Sequence, residues 1–212
     1  MIAMFILVIG IIGAVFLSAK STAQISDSRN AIVAMSLAQE GAELVRNIRD
    51  NSVTQKTCGS SRSERCTAFD QSTGYKWPSG NGYGCVVDHS LGYPGGDPMN
   101  CLAGRYLEDI YLNESTGFYE HAGGGEDTTL FKRIVYIDYF DVDTEIEYSS
   151  TTVPQAGESG VDQLAAKITS VVTWRNNDDI DLKNKEQVEE NCLISNQCAY
   201  AQTTLTSWLN YD

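Results

Sequence analysis

The chain has 212 residues, 42% hydrophobic and 20% charged, a composition typical of one folded domain with an extension. Its formal net charge is -13, and it contains no block of lysine or arginine. This charge argues against direct nucleic-acid binding and against an anionic membrane surface as the main partner.

The first element is an apolar run, MIAMFILVIGIIGAVFLSAK, in which the first charge is Lys20. A helix of about 20 apolar residues spans the hydrocarbon core of a bilayer at ~1.5 Å per residue. A cleaved signal peptide is an alternative, since the STA of residues 21–23 resembles a cleavage site, but no basic residue comes before the run. We therefore interpret residues 1–22 as a membrane anchor or as a helix that packs among copies of itself.

The second element, residues 23–50, continues the first without a proline. Its apolar residues recur at steps of three and four, which predicts an amphipathic helix. Together the two elements predict one helix of about 50 residues and ~75 Å. The alternative is an anchor, a flexible joint and a separate helix. The stripe expected to pack on the head consists of Ile25, Ile32, Met35, Ala38, Ala42, Val45 and Ile48.

The leader MIAMFILVIGIIG, followed by LAQEGAELVRNIRD, resembles the N-terminal half of bacterial type IV pilins and of the related pseudopilins of type II secretion. The resemblance covers residues 1–50 and is only architectural afterwards. In that family a glutamate stands fifth in the mature chain, whereas the first glutamate here is Glu40. We therefore expect this sequence to begin several residues inside the family's motif.

The resemblance implies a structural subunit without enzymatic activity. Such a pilin is held in the inner membrane, is handled by the pilus assembly machinery, and polymerises with itself through the N-terminal helix. The product is an extracellular type IV pilus filament on the bacterial surface. The alternatives are a pseudopilin of a type II secretion system, or a membrane-anchored surface domain that binds a ligand or acts as an enzyme.

The remaining residues, 51–212, are expected to form a globular head whose first part, 51–128, is rich in loops because glycine and proline punctuate it. Six cysteines without a CxxC motif predict disulfides in an oxidising compartment, although buried reduced cysteines are an alternative. Closeness in sequence favours three pairs: Cys58 with Cys66, Cys85 with Cys101, and Cys192 with Cys198.

Three antiparallel strands are predicted at about 130–148, 165–175 and 201–210. Apolar and polar residues alternate in the first segment, and the other two are rich in threonine, valine and tryptophan. In the first strand the apolar residues Ile134, Tyr136, Phe140, Val142 and Ile146 are expected on one face. The fold class is thus α+β: a long helix, apolar in its first third and amphipathic afterwards, against an antiparallel sheet with a disulfide-linked loop region.

The opposite face of that strand carries a row of acids: Asp141, Asp143, Glu145 and Glu147. Residues two apart on a strand lie ~6.6–6.8 Å from one another, so we interpret the row as solvated, with a calcium site as the alternative. The two histidines, His89 and His121, lie in polar glycine-rich stretches and are expected to be exposed. No catalytic, cofactor-binding or metal-binding motif is found in the sequence.

The sequence makes one prediction about the assembled state. Gly10 and Gly13 each weaken a helix by ~1 kcal/mol relative to alanine, so we expect a stretched or non-helical segment between Gly10 and Lys20 in a fibre. The alternative is that the glycines only allow close packing of helices. A filament map with continuous i to i-4 hydrogen bonds from Ile2 to Ile48 would decide for that alternative.

Overall fold

A single long helix lies on one face of an antiparallel sheet, which confirms the α+β class. The computed structural model describes residues 2–55, 69, 77–78, 83–88, 99–103, 108–113, 117–121, 128–142, 164–174, 192 and 198–206.

The helix, α1, runs unbroken from Ile2 to Gln55 and contains 54 residues, or ~80 Å at 1.5 Å per residue. No proline interrupts it. Thr22 donates its hydroxyl to the carbonyl of Ser18 and Ser28 donates to that of Gln24, so these side chains bond within the preceding turn of the helix. The expected single helix is therefore present in the subunit, with no joint after the leader.

Seven strands form one sheet within the described parts of the chain. They are β1 (Tyr83–Val87), β2 (Met99–Ala103), β3 (Glu108–Leu112), β4 (Tyr119–Glu120), β5 (Thr128–Asp141), β6 (Leu164–Trp174) and β7 (Cys198–Thr206).

The longest strand, β5, is the centre of the sheet. On one side β6 pairs with it along its length, from Phe131–Trp174 to Asp141–Leu164, and β7 pairs with β6. On the other side of β5, β3 pairs with its first half and β1 with its second half. β4 then pairs with the outer side of β3, and β2 with the outer side of β1. All pairings are antiparallel.

The core lies between α1 and the sheet. Near the end of the helix, Val45 and Ile48 pack with Val135, Ile137 and Tyr139 of β5. Near its middle, a second cluster joins the helix to β3, β5, β6 and β7 through Ala34, Leu37, Ala38, Ile110, Phe131, Val172, Trp174 and Ala199.

The face expected to be apolar in β5 is therefore not the one that meets the helix. Ile134 and Tyr136 lie on the other side of the sheet, in a third cluster with Val171 and Cys192. Both faces of the strand are buried, so its core residues form a continuous run and alternation does not distinguish the two sides. Asp141 is buried, with 7% exposure, and is not part of a solvated row; residues 143–150 lie outside the described part of the chain.

The segment expected to be rich in loops, 51–128, contains β1 to β4. These strands are short, and β1 reads YGCVV, with its last four residues buried without alternation. The burial of β1 lacks the period of two that reveals a half-exposed strand, and β2 to β4 have only two to five residues each, too few for a pattern to stand out among the glycines and prolines of this segment.

Two of the three expected disulfides are observed. Cys85 and Cys101 are directly opposed partners on β1 and β2, with Cα atoms 4.0 Å apart. Cys192 is joined to Cys198 at the start of β7, with Cα atoms 5.1 Å apart. Cys58 and Cys66 lie outside the described residues, and their pairing stays a prediction.

The helix lies close to the sheet at Gly41. A Cβ atom there would clash with the Ser170 Oγ of β6 and would lie 3.2 Å from the Arg133 Cδ of β5. A larger residue would push the helix away from both strands.

We predict that Gly41→Ala lowers the free energy of unfolding by about 1–3 kcal/mol, because overpacking outweighs the ~1 kcal/mol gain in helix propensity. Chemical denaturation of the chain in mild detergent measures this. Gly13→Ala is the matched control, since nothing lies within 4 Å of its Cβ position. A stabilising Gly41→Ala variant would contradict the close approach.

The buried hydroxyl of Tyr136 makes the head sensitive to alkali. Burial, with a smaller contribution from Asp138, raises the pKa of Tyr136 to about 12, and the hydroxyl has no hydrogen-bond partner among the described residues. Burial also raises the pKa of Tyr139. Above the ordinary tyrosine pKa of about 10, the unfolded chain therefore loses protons that the folded head retains.

Stability should consequently be unaffected by Tyr136 below about pH 10 and should fall between about pH 10 and 12, by roughly 2–3 kcal/mol from this residue. Tyr136→Phe should keep the ring packing and make the fall shallower. Denaturation midpoints measured across this pH range test the prediction. Parallel curves for the wild type and the variant would contradict it.

Candidate assembly surface

The most exposed apolar surface of the described chain is the first third of α1. Among the described residues, α1 is the one helix long and apolar enough to cross a membrane. The side chains of this leader segment, residues 2–22, are exposed wherever the structure describes them. The large apolar ones are Met4, Phe5, Ile6, Leu7, Val8, Ile9, Ile11, Ile12, Val15, Phe16 and Leu17, with exposures from 50% to 78%.

A lone helix that is apolar on every side cannot cover itself. Folded monomers rarely expose contiguous apolar patches above a few hundred Å², and the leader segment presents such side chains over about six turns. Such a surface suits lipid or other apolar helices. Gly10 and Gly13, which are expected to loosen it, lie in unbroken helix in the subunit, and nothing lies within 4 Å of either Cβ position.

The expected packing stripe is correct in its second half and wrong in its first. Ala38, Ala42, Val45 and Ile48 are buried, with exposures of 0–5%. The other three members are exposed: Ile25 at 67%, Ile32 at 70% and Met35 at 44%.

Helix geometry explains the difference. Each residue turns the helix by about 100°, so the two steps of three from Ile32 to Ala38 rotate the stripe by about 120°. Ile25 and Ile32 thus lie on the side of α1 that faces away from the sheet. The buried positions that the sequence analysis missed are Ala34, Leu37, Gly41 and Arg49, and angles summed from Val45 would have identified them.

A buried arginine fastens the helix to the sheet. Arg133 of β5 has no exposed side-chain surface, and its Nη2 donates to the Val87 carbonyl at 2.8 Å. Its Nη1 lies 3.5 Å from both the Leu37 carbonyl and the Glu40 carboxylate of α1. Burial lowers the pKa of Arg133, and the negative charges of Glu40 and Asp88 oppose this shift.

His121 belongs to the same buried polar region. The sequence predicted an exposed histidine, and this prediction is wrong. The Asp88 Oδ1 accepts the backbone N–H of His121 at 2.9 Å and lies 2.6 Å from its Nδ1. Both side chains are nearly inaccessible, at 0% for His121 and 2% for Asp88. This pair joins the end of β1 to the end of β4, whereas His89 lies outside the described residues.

The contacts of this polar region link α1 with β1, β4 and β5, and the side chains of Arg133, Asp88 and His121 are buried. In the parts of the chain that are described, no group of three or more histidine, cysteine, aspartate or glutamate side chains could hold a metal ion. The proposed calcium row beyond Asp141 is outside those parts.

Comparisons with known proteins give no match. No protein-family model, curated protein or solved structure matches the chain. The function must therefore be argued from the surface itself.

The contact between Arg133 and Glu40 yields a prediction with a neighbouring control. Glu40→Gln should lower the free energy of unfolding by about 1–3 kcal/mol, because it leaves the buried guanidinium without its nearest charge. Glu43→Gln removes an exposed i, i+3 pair with Arg46 and should cost about 0–1 kcal/mol. Chemical denaturation of both variants in mild detergent compares them. Equal losses would contradict an anchoring role for Arg133.

Proposed function

We propose that the chain is a structural subunit that polymerises through α1 into an extracellular filament similar to a type IV pilus. One observation carries the proposal. A single continuous helix is exposed and apolar on all sides in its first third, and it is fastened to a sheet by one buried face in its second half. A rigid helix of this kind transmits force between a helical filament core and the heads around it.

The energetics support an assembly held by the leader segment. If it buries about 1,000 Å² of apolar surface among its neighbours, the gross gain at ~25 cal/mol per Å² is about 25 kcal/mol per subunit, before the entropy of association is subtracted. A gain of this size favours a stable fibre.

The same segment accounts for the unassembled subunit. Before polymerisation the leader segment would reside in the inner membrane, since its length suits a bilayer core of ~30 Å. Assembly then exchanges lipid contacts for contacts with other copies, and pilus assembly machinery would withdraw the helix from the membrane. The outside of the cell is an oxidising place, in keeping with the two disulfides of the head.

Removal of the leader segment should separate assembly from folding. We expect a variant beginning at Ala23 to be a folded monomer without fibres, because both core clusters of the helix begin at or after Ala31. Light scattering should report a single subunit, and circular dichroism should show cooperative melting.

Fibres formed by this variant would place the polymer contacts between heads and reduce the leader segment to an anchor. A full-length chain that remains monomeric in bilayers under all assembly conditions would favour a membrane-anchored binding domain instead.

A further inference from the structure

The charges of the chain are divided unequally between the leader segment and the remaining residues. Residues 1–22 contain one charged side chain, that of Lys20. Residues 23–212 contain all 28 acidic side chains and 14 of the 15 basic ones, which gives them a formal net charge of -14. The exposed apolar part of α1 is thus almost uncharged, whereas the rest of the chain is strongly acidic.

Basic residues of the described head are largely paired with acids of their own subunit. Four such ion pairs are present: Arg46 with Glu43, Arg49 with Asp50, Lys132 with Asp109, and Arg133 with Glu40. Each pair neutralises one acid and one base, so it leaves the acidic excess of the head unchanged. A neighbouring head consequently finds fewer cations with which its own carboxylates could pair.

Assembly through the leader segment brings acidic heads next to one another. Packed helices lie about 8–10 Å apart, whereas a compact unit of about 190 residues is roughly 40 Å across. Each sheet is held to the second half of its own α1 by two core clusters. Heads that are much wider than the spacing of the helices become neighbours in any assembly with bundled leader segments.

The distance over which these heads repel one another depends on the ionic strength. The Debye length is ~30 Å at 0.01 M and ~8 Å at 0.15 M. At the lower ionic strength most charges of two touching heads act on each other, whereas at the higher one only charges near the contact do. The burial of the leader segment lacks this sensitivity, because its attraction is apolar and its one charge is that of Lys20.

We propose that counterions regulate the assembly of this chain by screening the repulsion between its acidic heads. The attraction resides in the leader segment and the repulsion in the head, and ionic strength acts chiefly on the repulsion. Subunits therefore stay apart in dilute salt and assemble when cations screen the heads. This inference rests on the proposed function, because it concerns the polymerised state, and it adds to that function a control by the surrounding medium.

Two double variants with opposite changes in charge test the proposal. Glu43→Gln with Asp109→Asn moves the net charge from -13 to -11, and Arg46→Gln with Lys132→Gln moves it from -13 to -15. Both variants lose the same two ion pairs. The structural effect of breaking these pairs is therefore common to both, and the variants differ in the charge of the head.

The assay measures the concentration of subunits that remain unassembled beside fibres. Full-length wild type and both variants are purified from membranes in a non-ionic detergent, which is then removed at ionic strengths of about 0.01 M and about 0.15 M. One series contains sodium chloride and the other tetramethylammonium chloride, each with a chelator of divalent cations. The bulky ammonium ion screens charge but is not coordinated by carboxylates.

For the wild type we expect a roughly tenfold higher unassembled concentration at the lower ionic strength. The ratio should be smaller in the variant of charge -11 and larger in the variant of charge -15, and the two salts should agree.

Equal unassembled concentrations at both ionic strengths, or equal ratios in the two variants, would overturn the inference and leave the proposed function intact. Assembly in sodium chloride but not in tetramethylammonium chloride would assign the control to a bound cation and would also overturn the inference. Absence of fibres at every ionic strength would overturn the proposed function and the inference with it.

Discussion

A helix that is apolar on all sides cannot bury its own side chains, and the organisation of this chain depends on that constraint. The leader segment exposes large side chains around its whole circumference, so its partner must come from outside the subunit. The second half of the same helix has an internal partner, the sheet. The chain thereby has one part whose apolar side chains are buried within the subunit and one part whose apolar side chains are not.

The contact between α1 and the sheet must be rigid if the helix is to transmit force to the head. The close approach at Gly41 sets the distance between helix and sheet. Arg133 holds the two together through hydrogen bonds to the Leu37 carbonyl of α1 and to the Val87 carbonyl of β1. The buried pair of Asp88 and His121 extends this polar region to β4. Directional contacts of this kind favour one docking geometry, which apolar packing alone would leave less specific.

The sequence predicts the features that have a regular pattern or a short separation along the chain. The long helix, the three long strands and the two observed disulfides follow from periodicity and from closeness in sequence. It does not predict β1 to β4, because β1 is buried without alternation and β2 to β4 are too short for a period to be recognised. It also misplaces Ile25 and Ile32, since steps of three and four were accepted without adding their angles.

The buried polar region was missed for a different reason. A single arginine in an alternating strand and a histidine in a glycine-rich stretch resemble surface residues, and only the tertiary structure brings Arg133, Asp88 and His121 together. No local pattern encodes their burial, because their partners are up to 96 residues apart in sequence.

The central claim is that the leader segment completes its packing among copies of itself. Electron cryomicroscopy of full-length protein, purified from membranes and allowed to assemble, tests this most directly. The account predicts uniform fibres with the leader segments bundled along the axis and the sheets outside, each attached to its own α1. Fibres with the leader segments outside the core, or a chain that stays a lipid-bound monomer, would contradict it.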